Sequence, residues 1–220
     1  MTDPRDEAER IRRAELVLKL RSRGVRDMRL LRAIETIPRS LFVRREHLAV
    51  AYADRALPID CGQTIESPSH IATVTEALGA EEGHVVLEVG CGAGYQTALL
   101  SRLAARVIAL DRFRGLLKAA EARLQRLGGA ENVTFVLADG LQGHAAGAPF
   151  DRILISGAVG APPSALLNQL KPGGVMIAAV GQGRSRRLTR FVKGADGALD
   201  ETMLGFVAVS PMTPGVAAAL

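Results

Sequence analysis

Tryptophan is absent from the 220 residues, and aromatic residues make up only 4%. The core must therefore rest on Leu, Val, Ile and Ala. Two cysteines, Cys61 and Cys91, are too few for a disulfide framework. No apolar run reaches the roughly 18 residues that a membrane-spanning helix needs, so none is expected. The first residues, Met1-Thr2-Asp3-Pro4-Arg5-Asp6-Glu7, mix both charges and hold no apolar stretch, which argues against a secretory signal. A soluble protein in a reducing cytoplasm is the expectation. His47, His70, His84 and His144 share no metal-ligand spacing, and no metal site is expected.

Hydrophobic residues at 48% and charged residues at 23% are ordinary for a globular fold, and the length suits one α/β domain. Lys and Arg outnumber Asp and Glu by 28 to 23, for a net charge of +5. These cations are spread over amphipathic segments such as 5–26, and only Arg184–Arg190 is dense. The balance reads as a solvated basic surface rather than a nucleic-acid face.

Residues 5–35 show helical spacing through Ile11, Leu16, Leu20, Leu30, Leu31 and Ile34, broken at Gly24 and ended by Pro38. Residues 39–70 lack periodicity and carry Pro58, Gly62 and Pro68, which predicts an irregular covering segment. From residue 84 the pattern changes. Strands are predicted at 84–89, 106–110, 132–137, 150–155 and 174–180, with helices at 95–103, 113–127 and 162–170 between them. That alternation implies parallel βαβ units. Two further strand-like runs, 187–193 and 203–209, predict an antiparallel hairpin at the sheet edge.

The chemistry gathers at predicted strand ends. Glu88-Val89-Gly90-Cys91-Gly92-Ala93-Gly94 sits between a strand and a helix, where glycines admit a ligand close to backbone amides. Its Gly-x-Gly-x-Gly spacing departs from the dinucleotide form. Asp111 ends the second strand, about 20 residues on, where a carboxylate can accept both ribose hydroxyls. Asp139-Gly140 follows the third, where an Asp can accept from an adenine amino group. Glu88 ends the first and suits an ammonium. Three carboxylates at successive strand ends point to a nucleoside with a charged tail.

Further motifs are Ala51-Tyr52-Ala53-Asp54, Leu57-Pro58-Ile59, Gly62-Gln63-Thr64-Ile65 with Pro68, Gly94-Tyr95-Gln96-Thr97-Ala98, Pro149-Phe150-Asp151 and Gln169-Leu170-Lys171-Pro172-Gly173-Gly174. On these the chain resembles the protein-L-isoaspartate (D-aspartate) O-methyltransferases. The block Gln63-Thr64-Ile65 is more specific than the glycine loop. The resemblance implies a Rossmann-like class I methyltransferase fold: a mostly parallel twisted sheet, a C-terminal antiparallel hairpin and an N-terminal helical extension. It implies one domain, with 1–80 covering the substrate and 81–220 binding the nucleotide. The implied reaction uses S-adenosyl-L-methionine to methylate the free α-carboxyl of isoaspartyl residues in damaged proteins and peptides. Carried over by position, Gln63, Thr64, Ile65, Glu88, Gly90, Cys91, Gly92, Gly94, Asp111, Arg112, Asp139 and Gly140 would hold the cofactor. Pro68, His70, Phe206 and Val207 would meet the substrate.

The family usually has serine where this chain has Glu66, followed here by Ser67. These two residues are the catalytic candidates. A serine hydroxyl donates to a carboxylate, and an ionised glutamate does not. Two like charges about 4 Å apart repel by roughly 4 kcal/mol at an effective dielectric of about 20. Three outcomes stay open: Glu66 turns away and Ser67 serves, Glu66 is protonated and donates, or the acceptor is not an isoaspartyl carboxylate. A methyltransferase with another acceptor, or a silent cofactor-binding protein, are the alternatives. The C-terminal strand also departs: Gly205-Phe206-Val207-Ala208-Val209 stands where the family often has Arg-Phe-Val-Pro-Leu. Cys61 and Cys91 read as a redox switch or as two separate buried thiols, and His70 as a substrate contact or a locally bonded residue.

Overall fold

The computed structural model describes residues 4–183 and 186–218. Arg184, at the head of the dense basic run, lies outside the described residues. Two helices open the chain, α1 (Pro4–Ser22) and α2 (Met28–Thr36). Gly24 takes φ +104° between them, and Asp27 caps α2 by accepting from the Arg29 and Leu30 amides at 2.8 and 3.2 Å. Leu16, Leu20, Leu30, Leu31 and Ile34 are buried as their spacing predicts, whereas Ile11 stays exposed.

The segment predicted to be irregular holds three 3-10 turns, at Arg39–Phe42, Arg45–Val50 and Asp60–Gly62, and two short strands before a helix begins. A two-residue strand β1 (Leu57–Pro58) pairs antiparallel with β2 (Thr64–Ile65). Helix α3 (Pro68–Leu78) follows, with Ser67 as its cap and Pro68 in the first turn. This helix was legible: Ser-Pro is a start signal, and Ile71, Val74, Thr75 and Leu78 recur at helical spacing.

The core runs β3 (Val85–Val89), α4 (Tyr95–Ser101), β4 (Arg106–Asp111), α5 (Arg114–Leu127), β5 (Val133–Leu137), β6 (Phe150–Val159), α6 (Ser164–Gln169), β7 (Leu170–Val180), β8 (Arg186–Lys193) and β9 (Leu199–Val207). Sheet order is β5-β4-β3-β6-β7-β8-β9. The first five in that order are parallel, and β8 and β9 form an antiparallel hairpin on β7. Three strands differ most from the sequence reading. Strand β6 runs four residues past Ile155, β7 begins at Leu170 and shortens α6, and β9 begins at Leu199 and ends at Val207. Pairing with neighbours extends β6 and β7 through Gly157 and Gly173–Gly174, which local propensity marks as breaks.

Both sheet faces are covered. Val86 and Val107 pack on one side with Leu99 and α3, and Leu87, Ile108, Phe150 and Ile153 on the other. Chain order reverses at β3, between β4 and β6, which opens a crevice at the carboxyl ends of these strands. Among the described residues no helix is long and apolar enough to cross a membrane.

Candidate active site

The glycine loop after β3 turns sharply, with Gly90, Gly92 and Gly94 at φ +84°, +54° and +90°. The Gly90 and Cys91 amides donate to the Leu110 carbonyl at 2.8 and 3.0 Å, fastening the loop to β4. Gly140 has no room for a side chain: a Cβ there would stand 2.4 Å from Val89 Cγ1.

Two cavities flank the loop. The first is lined by Ile65, His70, Glu88, Cys91, Tyr95 and Val209 among others. The second is lined by Gln63, Asp111, Arg112, Phe113, Asp139 and Gly140 among others. Thr64, Glu66, Gly90, Gly92 and Ser156 line both, so the cavities meet there.

The three predicted carboxylates fall in place. Glu88 is 0% exposed. Its Oε2 accepts from Thr97 Oγ1 at 2.6 Å, while Oε1 is buried without a partner. Burial pushes this carboxyl up to about 8, against the Thr97 hydrogen bond. Asp111 accepts from the Gly92 amide on Oδ2 and the Phe113 amide on Oδ1, both at 2.9 Å. Burial raises its carboxyl, and those backbone donors pull it back. Asp139 Oδ1 accepts from the Leu141 amide at 3.1 Å.

The residues fit S-adenosylmethionine. Glu88 offers a buried oxygen without a partner to an ammonium, and spare lone pairs on Asp111 and Asp139 suit ribose hydroxyls and an amino group. Gln63, Thr64, Ile65, Cys91 and Arg112 line one cavity or both, with Arg112 Nε held by the Gly215 carbonyl at 2.9 Å. Gly94 lines neither and serves packing: a Cβ there would stand 2.8 Å from Ala120 Cβ.

The residues expected to meet the acceptor fall in different places. Glu66 and His70 line the first cavity. Ser67 does not, because its Oγ accepts from the His70 amide at 3.3 Å as the cap of α3. Pro68 is buried in the first turn of that helix and lines neither cavity. Phe206 is 70% exposed, on the outward face of β9. Val207 packs on the core without reaching either cavity. Val209, two residues past the end of β9, is buried instead and lines the first cavity with Leu188 and Ala179.

Other contributors carried no local signal. Ser210, Pro211 and Met212 line the second cavity, tied to β6 by the Ala158 amide on the Ser210 carbonyl at 2.8 Å and the Met212 amide on the Ala158 carbonyl at 2.7 Å. Tyr95 packs against Phe42 with ring centroids 5.3 Å apart. Cys61 and Cys91 are both free, and burial pushes both thiols up, away from the reactive thiolate. In the basic run, Arg186 and Arg190 donate to the Val209 and Ala77 carbonyls and serve as structural ties.

A family model described as protein-L-isoaspartate(D-aspartate) O-methyltransferase (PCMT) matches residues 11–216. The chain is 50% identical to the protein-L-isoaspartate O-methyltransferase of Azorhizobium caulinodans and 47% identical to that of Xanthobacter autotrophicus, each over 100% of both chains. A solved protein-L-isoaspartate O-methyltransferase superposes with a TM-score of 0.83 at 29% identity, covering 93% of this chain and 67% of that one. A Plasmodium falciparum structure, described as a putative enzyme of this kind in complex with S-adenosyl-L-homocysteine, shares the fold with a TM-score of 0.79 at 19% identity, over 91% and 98% of the two chains. By this match and these identities the chain belongs to the protein-L-isoaspartate (D-aspartate) O-methyltransferase family.

Proposed function

We propose that this enzyme, an S-adenosylmethionine-dependent protein carboxyl O-methyltransferase, methylates the free α-carboxyl of isoaspartyl residues in damaged proteins. One observation carries the reading: a cavity edged by Asp111 and Asp139 meets a second cavity, read here as the acceptor's, at Thr64, Glu66, Gly90, Gly92 and Ser156. In this reading Asp111 takes the ribose hydroxyls, Asp139 the adenine amino group and Glu88 the ammonium. Residues 1–80 cover the site and 81–220 hold the cofactor, within one catalytic domain. Two free thiols suit a reducing compartment, and we place the enzyme in the cytoplasm.

The bound cofactor supplies a sulfonium methyl whose carbon–sulfur bond breaks as a carboxylate oxygen bonds to the carbon, giving an ester and a thioether with no proton transferred. A carboxylate, with an ordinary pKa of about 4, is already ionised at neutral pH and needs no general base. The chain's work is alignment and exclusion of water. The β1–β2 turn and the Ser210–Met212 segment close over the strand ends to provide both.

Incubation with labelled S-adenosylmethionine is expected to place base-labile label on an isoaspartyl peptide and none on its aspartyl counterpart. Equal labelling of both peptides, or of neither, would sink the reading. Asp111→Ala is expected to weaken cofactor binding by about 1–3 kcal/mol, the scale of hydrogen bonds to a charged group. Calorimetric titration showing wild-type affinity would remove Asp111 from the cofactor site.

A further inference from the structure

Arg39 is 0% exposed, yet it makes no ion pair among the described residues. Its Nε donates to the Ala51 carbonyl at 2.8 Å, while Nη1 and Nη2 are buried without partners. The guanidinium carbon lies 5.5 Å from the ring centroid of Tyr95, a residue of the acceptor cavity wall. Burial pulls the guanidinium down to about 10. An unpaired buried cation is costly and calls for a compensating group. Glu66, where the two cavities meet, is a carboxyl that its charge reaches. Glu66 Oε1 accepts only from Thr64 Oγ1, at 3.2 Å.

We infer that Glu66 meets the acceptor carboxylate as a neutral acid, taking up one proton from solvent as the carboxylate enters and donating it in a hydrogen bond, and that Arg39 is a positioning residue acting through Glu66. The inference rests on the isoaspartyl reading above. Two carboxyls in one small cavity share a proton because both cannot ionise cheaply. The proton stays on Glu66 through methyl transfer and returns to solvent when the neutral ester leaves. A protonated carboxyl thereby supplies the donor that a serine hydroxyl would supply.

The surroundings agree. Burial already raises the Glu66 carboxyl, against Thr64 and Arg39, which lower it. Facing it across the acceptor cavity are His70 from α3, Glu88 from β3, Cys91 from the loop and Tyr95 from α4. Burial holds the His70 imidazole down, the Cys91 thiol up and the Tyr95 phenol up at about 12, so all three are neutral near pH 7. Glu88 is taken by the cofactor's ammonium in the loaded enzyme. Asp111, Arg112 and Asp139 lie on the nucleotide side.

The test is proton uptake on binding. An isoaspartyl peptide is titrated into enzyme saturated with S-adenosylhomocysteine, in two buffers of different ionisation enthalpy, from pH 6 to 9. Wild type is expected to take up close to one proton per peptide near neutral pH. Over the range where uptake stays near one proton, affinity should fall about tenfold per pH unit, and it should level off above the pH where uptake fades. Glu66→Gln is expected to show no uptake and no such fall, whatever its absolute affinity. Arg39→Met removes a positive charge, so the fade should move to higher pH in the wild-type background and leave Glu66→Gln unmoved. Should Arg39→Met fail to fold, Arg39→Lys, with a shorter reach, is expected to shift the fade the same way by less. Binding without proton uptake in wild type, or uptake surviving in Glu66→Gln, overturns the role of Glu66. A fade that stays in place, or an Arg39 effect equal in both backgrounds, overturns the role of Arg39. If the peptide neither binds nor accepts a methyl group at any pH, the isoaspartyl reading itself falls.

Discussion

Replacing Glu88 by glutamine is expected to weaken S-adenosylmethionine binding by about 1.5–3 kcal/mol, the scale of a charge-assisted hydrogen bond, while abolishing a pH dependence of stability in the unliganded protein. The cause is one buried carboxyl with a partner on a single oxygen. Burial lifts its pKa from 4.5 in the unfolded chain to about 8 in the fold. Between those values the unfolded chain releases the proton and the folded protein keeps it. Stability therefore falls as pH rises through that window, and the full penalty is present above about 8. At about 1.4 kcal/mol per pH unit the loss is of the order of 3–5 kcal/mol. Glutamine carries no proton to lose, so denaturation midpoints of Glu88→Gln should stay level from pH 5 to 8 while those of wild type decline.

The same group ties stability to binding. Below about pH 8 the unliganded Glu88 is mostly protonated, and an arriving ammonium ionises it. Cofactor binding by wild type should release up to one proton at pH 7, and Glu88→Gln should release none. Wild-type cofactor affinity in the mutant, with the same proton release, would place the ammonium elsewhere.

Gly94→Ala is expected to cost about 2–6 kcal/mol of stability, from two additive causes. The residue sits at φ +90°, where an L side chain is strained by about 1–3 kcal/mol. Its new Cβ would stand 2.8 Å from Ala120 Cβ and 3.2 Å from Ala120 Cα. Neither atom is the end of a flexible side chain, so relief requires α5 to move, and overpacking adds about 1–3 kcal/mol. Because Gly94 lines neither cavity, the loss should appear in urea denaturation of the unliganded protein. An unfolding midpoint equal to wild type would show that α5 yields freely.

Sequence alone determined the parts of this protein whose signals are local. The apolar run ended by Gly90, Gly92 and Gly94 fixed a strand, a tight loop and a helix, since periodicity and positive φ are properties of neighbouring residues. Asp111 and Asp139 were legible because a parallel strand ends at the same face each time. Only the tertiary structure decided what depends on residues far apart in the chain. Ser67 became the cap of α3 and left the acceptor cavity to Glu66, because the backbone entering that helix claims the nearest hydroxyl. Phe206 faces outward because pairing with β8, where Arg187 stands opposite it, sets which alternate residues see the core, and Val209 is buried beyond the end of that strand. The unpaired state of Arg39 follows from packing of the N-terminal segment against Tyr95, and that of Glu88 Oε1 from complete burial of the end of β3. Burial and pairing are sums over contacts that no short window of sequence contains.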